Sequence, residues 1–201
     1  ELKVLYLFKN KLTILRSGTF HALTQLTVLS LHFNQIDSID VRLFERCCNL
    51  EWLHLSNNKL RILHPDTFKS LTQLTKLQLD NNQIESIDVR LFETCCNLTK
   101  LDLSNNKLAI LDQDTFKTLT KLTKLSLHHN QIEEINVEFF KTCLNLQVLW
   151  LSDNKVRLST DTFNKLTQLT ELSLSKNQID TLNGSLFHIC SNLKLLDLSY
   201  N

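Results

Sequence analysis

The stretch Leu50-Glu51-Trp52-Leu53-His54-Leu55-Ser56-Asn57-Asn58 has the form Leu-x-x-Leu-x-Leu-x-x-Asn, and this frame recurs along the whole chain. Seven of the eight intervals between frames are 24 residues long, and the interval from Leu146 to Leu169 is 23. The nine frames start at Leu2, Leu26, Leu50, Leu74, Leu98, Leu122, Leu146, Leu169 and Leu193. Self-similarity at such a period predicts a solenoid, in which each repeat contacts only its neighbours.

Each frame predicts a short β-strand followed by a turn. Successive side chains of a strand alternate between two faces, so the leucines of the frame point inward and the variable positions point outward. Neighbouring strands then pair in parallel, about 4.8 Å apart. We therefore predict a single array over residues 1–201, with eight repeats, a partial ninth from Leu193 and no capping modules.

An asparagine closes every frame. A carboxamide both donates and accepts hydrogen bonds, so an asparagine stacked once per repeat can bond the backbone where the chain leaves the strand. A buried amide without such partners costs roughly 1–3 kcal/mol, which favours a structural role. The residues of this asparagine ladder are Asn10, Asn34, Asn58, Asn82, Asn106, Asn130, Asn154, Asn177 and Asn201.

A phenylalanine follows most ladder asparagines by ten residues, and Phe163 comes one residue early. The spine comprises Phe20, Phe44, Phe68, Phe92, Phe116, Phe140, Phe163 and Phe187. Asp66, Asp114 and Asp161 precede their Phe by two residues and are expected to cap short helical turns. The predicted fold is an α/β solenoid, a horseshoe with a parallel β-sheet on the concave face and short helical or 3₁₀ segments with the Phe spine on the convex side.

Composition excludes several functions. Lys and Arg total 22 against 21 acidic residues, so no global field recruits nucleic acid. No apolar run approaches the roughly 20 residues that span a bilayer, so this segment is not expected to insert into a membrane. The chain begins at Glu1 and contains no Met, which suggests a mature segment or a piece of a longer protein. No metal or cofactor is predicted.

The six cysteines fall in two positions of the repeat. Cys47, Cys95, Cys143 and Cys190 occupy a slot that holds leucine in other repeats, so we expect buried thiols that act as small hydrophobes. Cys48 and Cys96 come one residue later, closer to solvent. Two interpretations stay open for them: reduced thiols, or disulfides, either vicinal or between chains.

Aromatic and histidine side chains are concentrated at positions predicted to face outward from the strands. Packing does not demand rings on an open sheet, and Trp and Tyr are enriched at interface hot spots. The first aromatic patch comprises Val4, Tyr6, Phe8, Val28, His32, Phe33, Trp52 and His54. The second aromatic patch comprises His128, His129, Val148, Trp150, Leu195 and Tyr200. Either patch binds a partner, or it reflects β-forming preference and contact with a neighbouring segment.

Between the patches, Lys76, Lys100 and Lys124 form one column over three repeats, with Asp80 and Asp102 in adjacent columns. A solvated face whose charges largely cancel is favoured over a ligand-orienting stripe, because exposed ion pairs contribute only about 0–1 kcal/mol. His128 and His129 could suggest a general base, but no nucleophile with an orienting group is evident, so no enzymatic activity is predicted.

Two triplets match the acceptor pattern for N-linked glycans, Asn97-Leu98-Thr99 and Asn183-Gly184-Ser185. Such triplets also arise by chance. Asn183 is expected on the edge after a strand, in an accessible place. Asn97 directly precedes a strand, where a glycan would have to clear the convex edge.

The phrases Leu71 to Ile84 (LTQLTKLQLDNNQI) and Cys96 to Leu108 (CNLTKLDLSNNKL) resemble extracellular leucine-rich repeats. The 24-residue class with its Phe spine is similar to Toll-like receptor ectodomains and to the variable lymphocyte receptors of jawless vertebrates. The resemblance implies a non-enzymatic recognition module at the cell surface or outside the cell, of immune-receptor or adhesion type. Its protein or glycan ligand would bind the concave face or its flanks. The cysteine-rich caps of both families have no counterpart in this sequence.

Two other functions stay open. Open strand edges at the two ends invite pairing with another chain, so the protein could assemble end to end into a filament or matrix, through these ends or through Cys48 and Cys96. An intracellular scaffold is the third hypothesis, favoured if the thiols are free and the sequons unoccupied.

Overall fold

A computed structural model describes residues 1–159 and 161–201. Its elements are short strands separated by turns. In chain order they are β1 (Val4–Tyr6), β2 (Val28–Ser30), β3 (Trp52–His54), β4 (Lys76–Gln78), β5 (Lys100–Asp102), β6 (Lys124–Ser126), β7 (Glu134–Ile135), the 3₁₀ helix Val137–Phe140, β8 (Val148–Trp150), β9 (Arg157–Leu158), β10 (Glu171–Ser173) and β11 (Leu195–Asp197).

Nine of these strands form one parallel sheet in the order β1-β2-β3-β4-β5-β6-β8-β10-β11. The register is fixed by the frame: equivalent residues of successive repeats lie side by side, as Leu53 does with Leu77 and Leu77 with Leu101. The central leucine of each strand between β2 and β10 is buried. Because strand residues alternate faces, burial of that leucine turns the residues on either side of it outward. The predicted parallel solenoid is confirmed.

The asparagine ladder has the predicted role. Asn58 donates from Nδ2 to the carbonyls of Leu55 and Leu31, both at 3.0 Å, and its Oδ1 accepts from the N–H of Ile36 at 3.0 Å. The same three bonds recur at Asn106. One side chain thus satisfies three backbone groups in two repeats and ties the repeats together, as buried polar groups require.

The Phe spine lies on the side opposite the sheet. Adjacent rings stack with centroids 6.5 Å apart for Phe20 and Phe44, 6.3 Å for Phe44 and Phe68, and 6.5 Å for Phe92 and Phe116. Paired strands are only about 4.8 Å apart. Because the repeats are wider at the rings than at the strands, the array curves with the sheet on its concave side.

The turns that carry the Phe spine differ from the prediction in two respects. Among the described residues only Val137–Phe140 forms a helix, so the expected helical segments are mostly turns. The predicted caps were also wrong: within residues 1–159 and 161–201, the side chains of Asp66, Asp114 and Asp161 accept no hydrogen bond from a backbone N–H. The cap lies four residues before the Phe instead, where Asp88 accepts from Arg90 at 2.9 Å, and Asp40, Asp112, Asn136 and Asn183 act in the same way.

The residue before each ladder asparagine has left-handed backbone, with φ between 53° and 59°. Asn57, Asn81, Asn105 and Asp153 suit this conformation, because Asn and Asp tolerate it better than other residues. Phe33, His129 and Tyr200 occupy the same slot in their repeats. Left-handed backbone at a bulky residue costs roughly 1–2 kcal/mol of conformational free energy. The backbone of Phe33, His129 and Tyr200 is therefore in an unfavourable conformation.

The short repeat leaves the sheet undisturbed. The interval from Leu146 to Leu169 lacks one residue, yet Val148 pairs with Glu171 and Leu149 with Leu172 in the usual register. The missing residue falls between Asn154 and Phe163, in the segment that crosses to the Phe side. Part of this segment forms a second small sheet, in which Arg157 and Leu158 pair with Glu134 and Ile135.

Candidate interaction site

The outward face of the nine-stranded sheet consists of two columns, one from the first residue of each strand and one from the third. The first column runs Val4, Val28, Trp52, Lys76, Lys100, Lys124, Val148, Glu171, Leu195. The third-residue column runs Tyr6, Ser30, His54, Gln78, Asp102, Ser126, Trp150, Ser173, Asp197. Aromatic rings therefore flank a polar and cationic centre.

Five rings of the first aromatic patch form a continuous stack. Tyr6 meets Phe8 edge-on at 6.0 Å between centroids, and Phe8 stacks on His32 at 4.7 Å. His32 stacks on His54 at 4.0 Å, and His54 on Trp52 at 6.0 Å. The indole N–H of Trp52 donates to Gln78 Oε1 at 2.8 Å, which fixes the ring at the end of the stack. We call these five residues the ring stack.

The ring stack changes the chemistry of its histidines. Burial is the main cause that lowers the pKa of His54 to about 4, and the neighbouring charge of His32 contributes. The pKa of His32 is also lowered, mainly by burial and then by Lys9. Its Nδ1 lies 2.6 Å from Ser30 Oγ. Both imidazoles are therefore neutral at pH 7, and the stack presents an uncharged surface.

The strand assignment of several patch residues was wrong. Phe8, His32, Phe33, His128, His129 and Tyr200 lie in the turn after their strand, whereas Tyr6, Trp52, His54 and Trp150 lie on strands as predicted. The physical reason is that each strand of the nine-stranded sheet has only three residues, so the chain turns before it reaches the next outward position. The turn still brings Phe8 and His32 onto the ring stack.

The ring contacts of the second aromatic patch lie among His128, His129 and Trp150, and Leu195 and Tyr200 lie two repeats further on. His128 contacts Trp150 edge-on at 5.9 Å and His129 at 5.3 Å. His129 Nδ1 lies 2.6 Å from the carboxylate of Asp153. Burial lowers the pKa of His128. No ring contact links Leu195 or Tyr200 to this group among the described residues, and β10, with Glu171 and Ser173, separates them from Trp150.

The lysine column was interpreted as a solvated face, but two of its members contact tryptophans. Lys76 Nζ lies 5.4 Å from the ring centroid of Trp52, and Lys124 Nζ lies 3.5 Å from that of Trp150. Cations over indole faces are attracted by the ring quadrupole. The sequence placed Trp52 in the lysine column and Trp150 in the neighbouring column, but it gave no signal of these contacts. A cleft of about 260 Å³ opens here, between Trp52 and Ser126.

The two sequons differ in accessibility. Asn97 Nδ2 donates to the carbonyl of Thr72 at 2.9 Å, and its Oδ1 accepts from Lys121 at 2.7 Å. Its equivalents in other repeats, Asn49, Asn145 and Asn192, make the same carbonyl contact. Asn97 thus belongs to a second structural asparagine column that sequence reasoning missed. Asn183 is exposed and uses only its Oδ1, as a cap for Ser185.

All six cysteines are free thiols. Cys47, Cys95, Cys143 and Cys190 are buried as predicted, and burial raises the pKa of Cys95 to about 12. Cys48 and Cys96 are exposed. The vicinal disulfide hypothesis is wrong, because one residue of each pair points into the core and the other to solvent. Within residues 1–159 and 161–201 there is no cluster of three potential metal ligands, and no helix is long and apolar enough to cross a membrane.

Comparison with known proteins settles the family. A leucine-rich repeat model matches residues 24–84, 72–132, 120–160 and 155–201, and a two-copy leucine-rich repeat model matches residues 1–42. The chain belongs to the leucine-rich repeat family. Arrays of this family are protein-interaction modules, typically without catalytic activity. A search of curated proteins gives no match.

Solved structures of leucine-rich repeat proteins have the same fold as this chain. A Toll-like receptor 13 chain, from a structure described as a TLR13–ssRNA13 complex, is 32% identical over 98% of this chain with a TM-score of 0.89. The Leptospira interrogans protein LIC12759 is 28% identical over 96%, with a TM-score of 0.85. The leucine-rich repeat domain of APL1B, at 22% identity over 99% and a TM-score of 0.80, shares the fold.

These neighbours are longer than this chain. It spans 28% of the Toll-like receptor 13 chain, 48% of LIC12759 and 70% of the APL1B domain. The predicted resemblance to Toll-like receptor ectodomains is confirmed at the level of the repeat.

Proposed function

We propose that this leucine-rich repeat array is a recognition module of an extracellular or cell-surface protein, immune-receptor-like or adhesion-like, that binds a protein partner through the concave face of its sheet. The observation that carries the proposal is the ring stack from Tyr6 to Trp52. Its two end members differ in exposure: Tyr6 is 60% exposed and Trp52 is half-buried. A contiguous aromatic surface of this kind is typical of binding sites.

Backbone conformation supports the same proposal. Phe33, beside the ring stack, is 48% exposed and has φ of 53°. A bulky side chain in left-handed backbone is unfavourable, and an exposed ring contributes little to folding. Unfavourable local conformation is concentrated at functional sites. Phe33 and its counterparts His129 and Tyr200 therefore fit a role outside the stability of the array.

A protein partner is proposed rather than nucleic acid, although the Toll-like receptor 13 neighbour is described as a complex with single-stranded RNA. The chain carries a net charge of only +1. Nucleic-acid affinity comes mainly from phosphate contacts with basic side chains. The ring stack is apolar and uncharged at pH 7, a surface that suits amphipathic protein side chains.

The test is Trp52→Ala, assayed by surface plasmon resonance against an array of secreted and cell-surface ectodomains. We expect partner binding to weaken by at least about 1 kcal/mol, because central aromatic anchors dominate interface energetics. Ile62→Ala is the matched control: Ile62 is 73% exposed and lies off the sheet, in the same repeat. Unchanged affinity in Trp52→Ala, or an equal loss in Ile62→Ala, would contradict the proposal.

Self-association through the end strands, or through Cys48 and Cys96, stays a prediction. Both thiols are exposed and lie at equivalent positions two repeats apart. Size-exclusion chromatography with and without reductant separates the two functions. A monomer under both conditions favours recognition, whereas large oligomers favour assembly into a filament.

A further inference from the structure

The cleft between the two tryptophans is a cationic site at the centre of the sheet. Lys76, Lys100 and Lys124 are adjacent in the parallel register, so each ammonium has a like charge directly beside it. Like charges at paired strand positions are destabilising. The repulsion along the column therefore opposes folding, and it is greatest at Lys100, which has a lysine on each side.

The three lysines lack acidic partners. None forms an ion pair with a residue in the described ranges, whereas Lys107 pairs with Glu85 and Lys155 with Glu133 outside the sheet face. Among the described residues, Asp102 is the one carboxylate lining the cleft, and its Oδ1 accepts from the N–H and the hydroxyl of Ser104. Three ammoniums against one carboxylate leave the cleft positive.

A second observation points to a ligand in the same place. Ser126 lines the cleft, is fully buried, and its Oγ has no hydrogen-bond partner among the described residues. Buried hydroxyls are ordinarily satisfied. A hydroxyl beside an ammonium can donate to a bound anion, and Ser126 and Lys124 lie at the two ends of one strand, β6.

The size of the positive region selects the class of anion. Three strands about 4.8 Å apart give a cationic row roughly 10 Å long. Trp52 and Val28 precede it, and Val148 and Glu171 follow it in the same column. A long polyanion that followed the column would leave the lysines and meet Glu171. A short acidic group matches the length of the lysine row, and apolar residues on each side of that group would contact the indoles of Trp52 and Trp150.

We propose that this cleft binds the carboxylate side chains of an acidic segment with apolar neighbours in a protein partner. This inference rests on the proposed function and names the chemistry of the partner. Lys100, which contacts no indole in the part of the chain that the structure describes, is the central anchor. Lys76 and Lys124 are held over Trp52 and Trp150, so the indoles position the outer ammoniums. Ser126 donates its hydroxyl to the same carboxylate.

The experiment uses fluorescence anisotropy with a labelled peptide of alternating Glu and Leu, and a matched peptide of alternating Gln and Leu. We expect the Glu peptide to bind and the Gln peptide to bind at least about tenfold more weakly, with affinity falling as salt rises from 50 to 300 mM because exposed charges are screened. Lys100→Glu should weaken binding about tenfold. Ser126→Ala, which removes a hydroxyl without an internal partner, should weaken it about threefold.

Lys165→Glu is the control, since it makes the same charge change at an exposed lysine on the side of the Phe spine. Loss of binding in Lys165→Glu equal to that in Lys100→Glu would overturn the proposal, because it would show a general charge effect. So would absence of peptide binding, or equally tight Lys100-dependent binding of a uridine oligonucleotide or heparin. If the peptide fails while Trp52→Ala still weakens the partner, the acidic-segment assignment is wrong and the recognition function stands.

Discussion

The two faces of the central strands obey opposite rules. Inward, Leu53, Leu77, Leu101 and Leu125 are the same residue in every repeat, and all are buried. Outward, the residues one position earlier are Trp52, Lys76, Lys100 and Lys124, which change from an aromatic ring to a row of like charges. Each inward residue packs against the equivalents above and below it, so uniformity is favourable there. The outward residues do not pack in a core, so the need to fold does not determine which residue types occur there.

The largest expected change in the free energy of unfolding comes from the inward residue of β5, and its outward neighbour should have little effect. Leu101→Ala should lower the free energy of unfolding by about 2–5 kcal/mol, because it removes buried methyl groups and leaves a cavity between repeats. Lys100→Ala should change it by less than about 0.5 kcal/mol, in the stabilising direction, because it relieves repulsion along the lysine column. Urea denaturation followed by circular dichroism measures both. A loss in Lys100→Ala as large as that in Leu101→Ala would remove the contrast between the faces.

The asparagine ladder allows the same comparison of a buried with an exposed position, here for a polar side chain. Asn106→Ala should lower the free energy of unfolding by about 2–3 kcal/mol, since it leaves the buried N–H of Ile84 and the carbonyls of Leu79 and Leu103 without their partner. Asn10→Ala, at the exposed first position of the ladder, is the control and should cost much less. Equal losses measured by urea denaturation would show that the ladder does not act through burial.

A pH-dependent contribution to stability comes from the ring stack. The pKa of His54 is near 4 in the folded chain against 6.5 for the ordinary group, so the unfolded chain binds more protons between these values. Stability should therefore fall as pH drops from about 6.5 to about 4, and His54 should add no further loss below that. Urea denaturation across this range should show a shallower decline for His54→Gln than for the wild type. His21→Gln, at an exposed position, should follow the wild type, and a parallel decline in His54→Gln would contradict the assignment.

Repetition explains how much of this fold the sequence predicts. The spacing of Leu53, Asn58 and Phe68 fixes strand, turn and spine, because each residue type fits one packing environment and recurs in it. The cap position was misassigned because the segment before the Phe can carry an acid at either spacing, as Asp112 and Asp114 do before Phe116. The turns around the Phe residues were expected to be helical, because the sequence does not show whether such a short segment forms a helix or isolated turns.

The candidate site was predictable only in part. Alternation identified Trp52, Trp150 and the lysine column as outward residues. It did not reveal that Lys124 lies over Trp150, that Ser126 lacks a partner, or that Asn97 belongs to a structural column. The contacts of Lys124 with Trp150 and of Asn97 with Thr72 join side chains or backbone of neighbouring repeats, for which the single sequence contains no direct signal.

The short repeat has a consequence for how such arrays change length. One residue is absent from the segment between Asn154 and Phe163, but strands β8 and β10 pair as if nothing were missing. A change of one residue on the spine side is thus decoupled from the register of the sheet. The segment that crosses to the Phe side can vary in length while the order of the outward side chains stays the same.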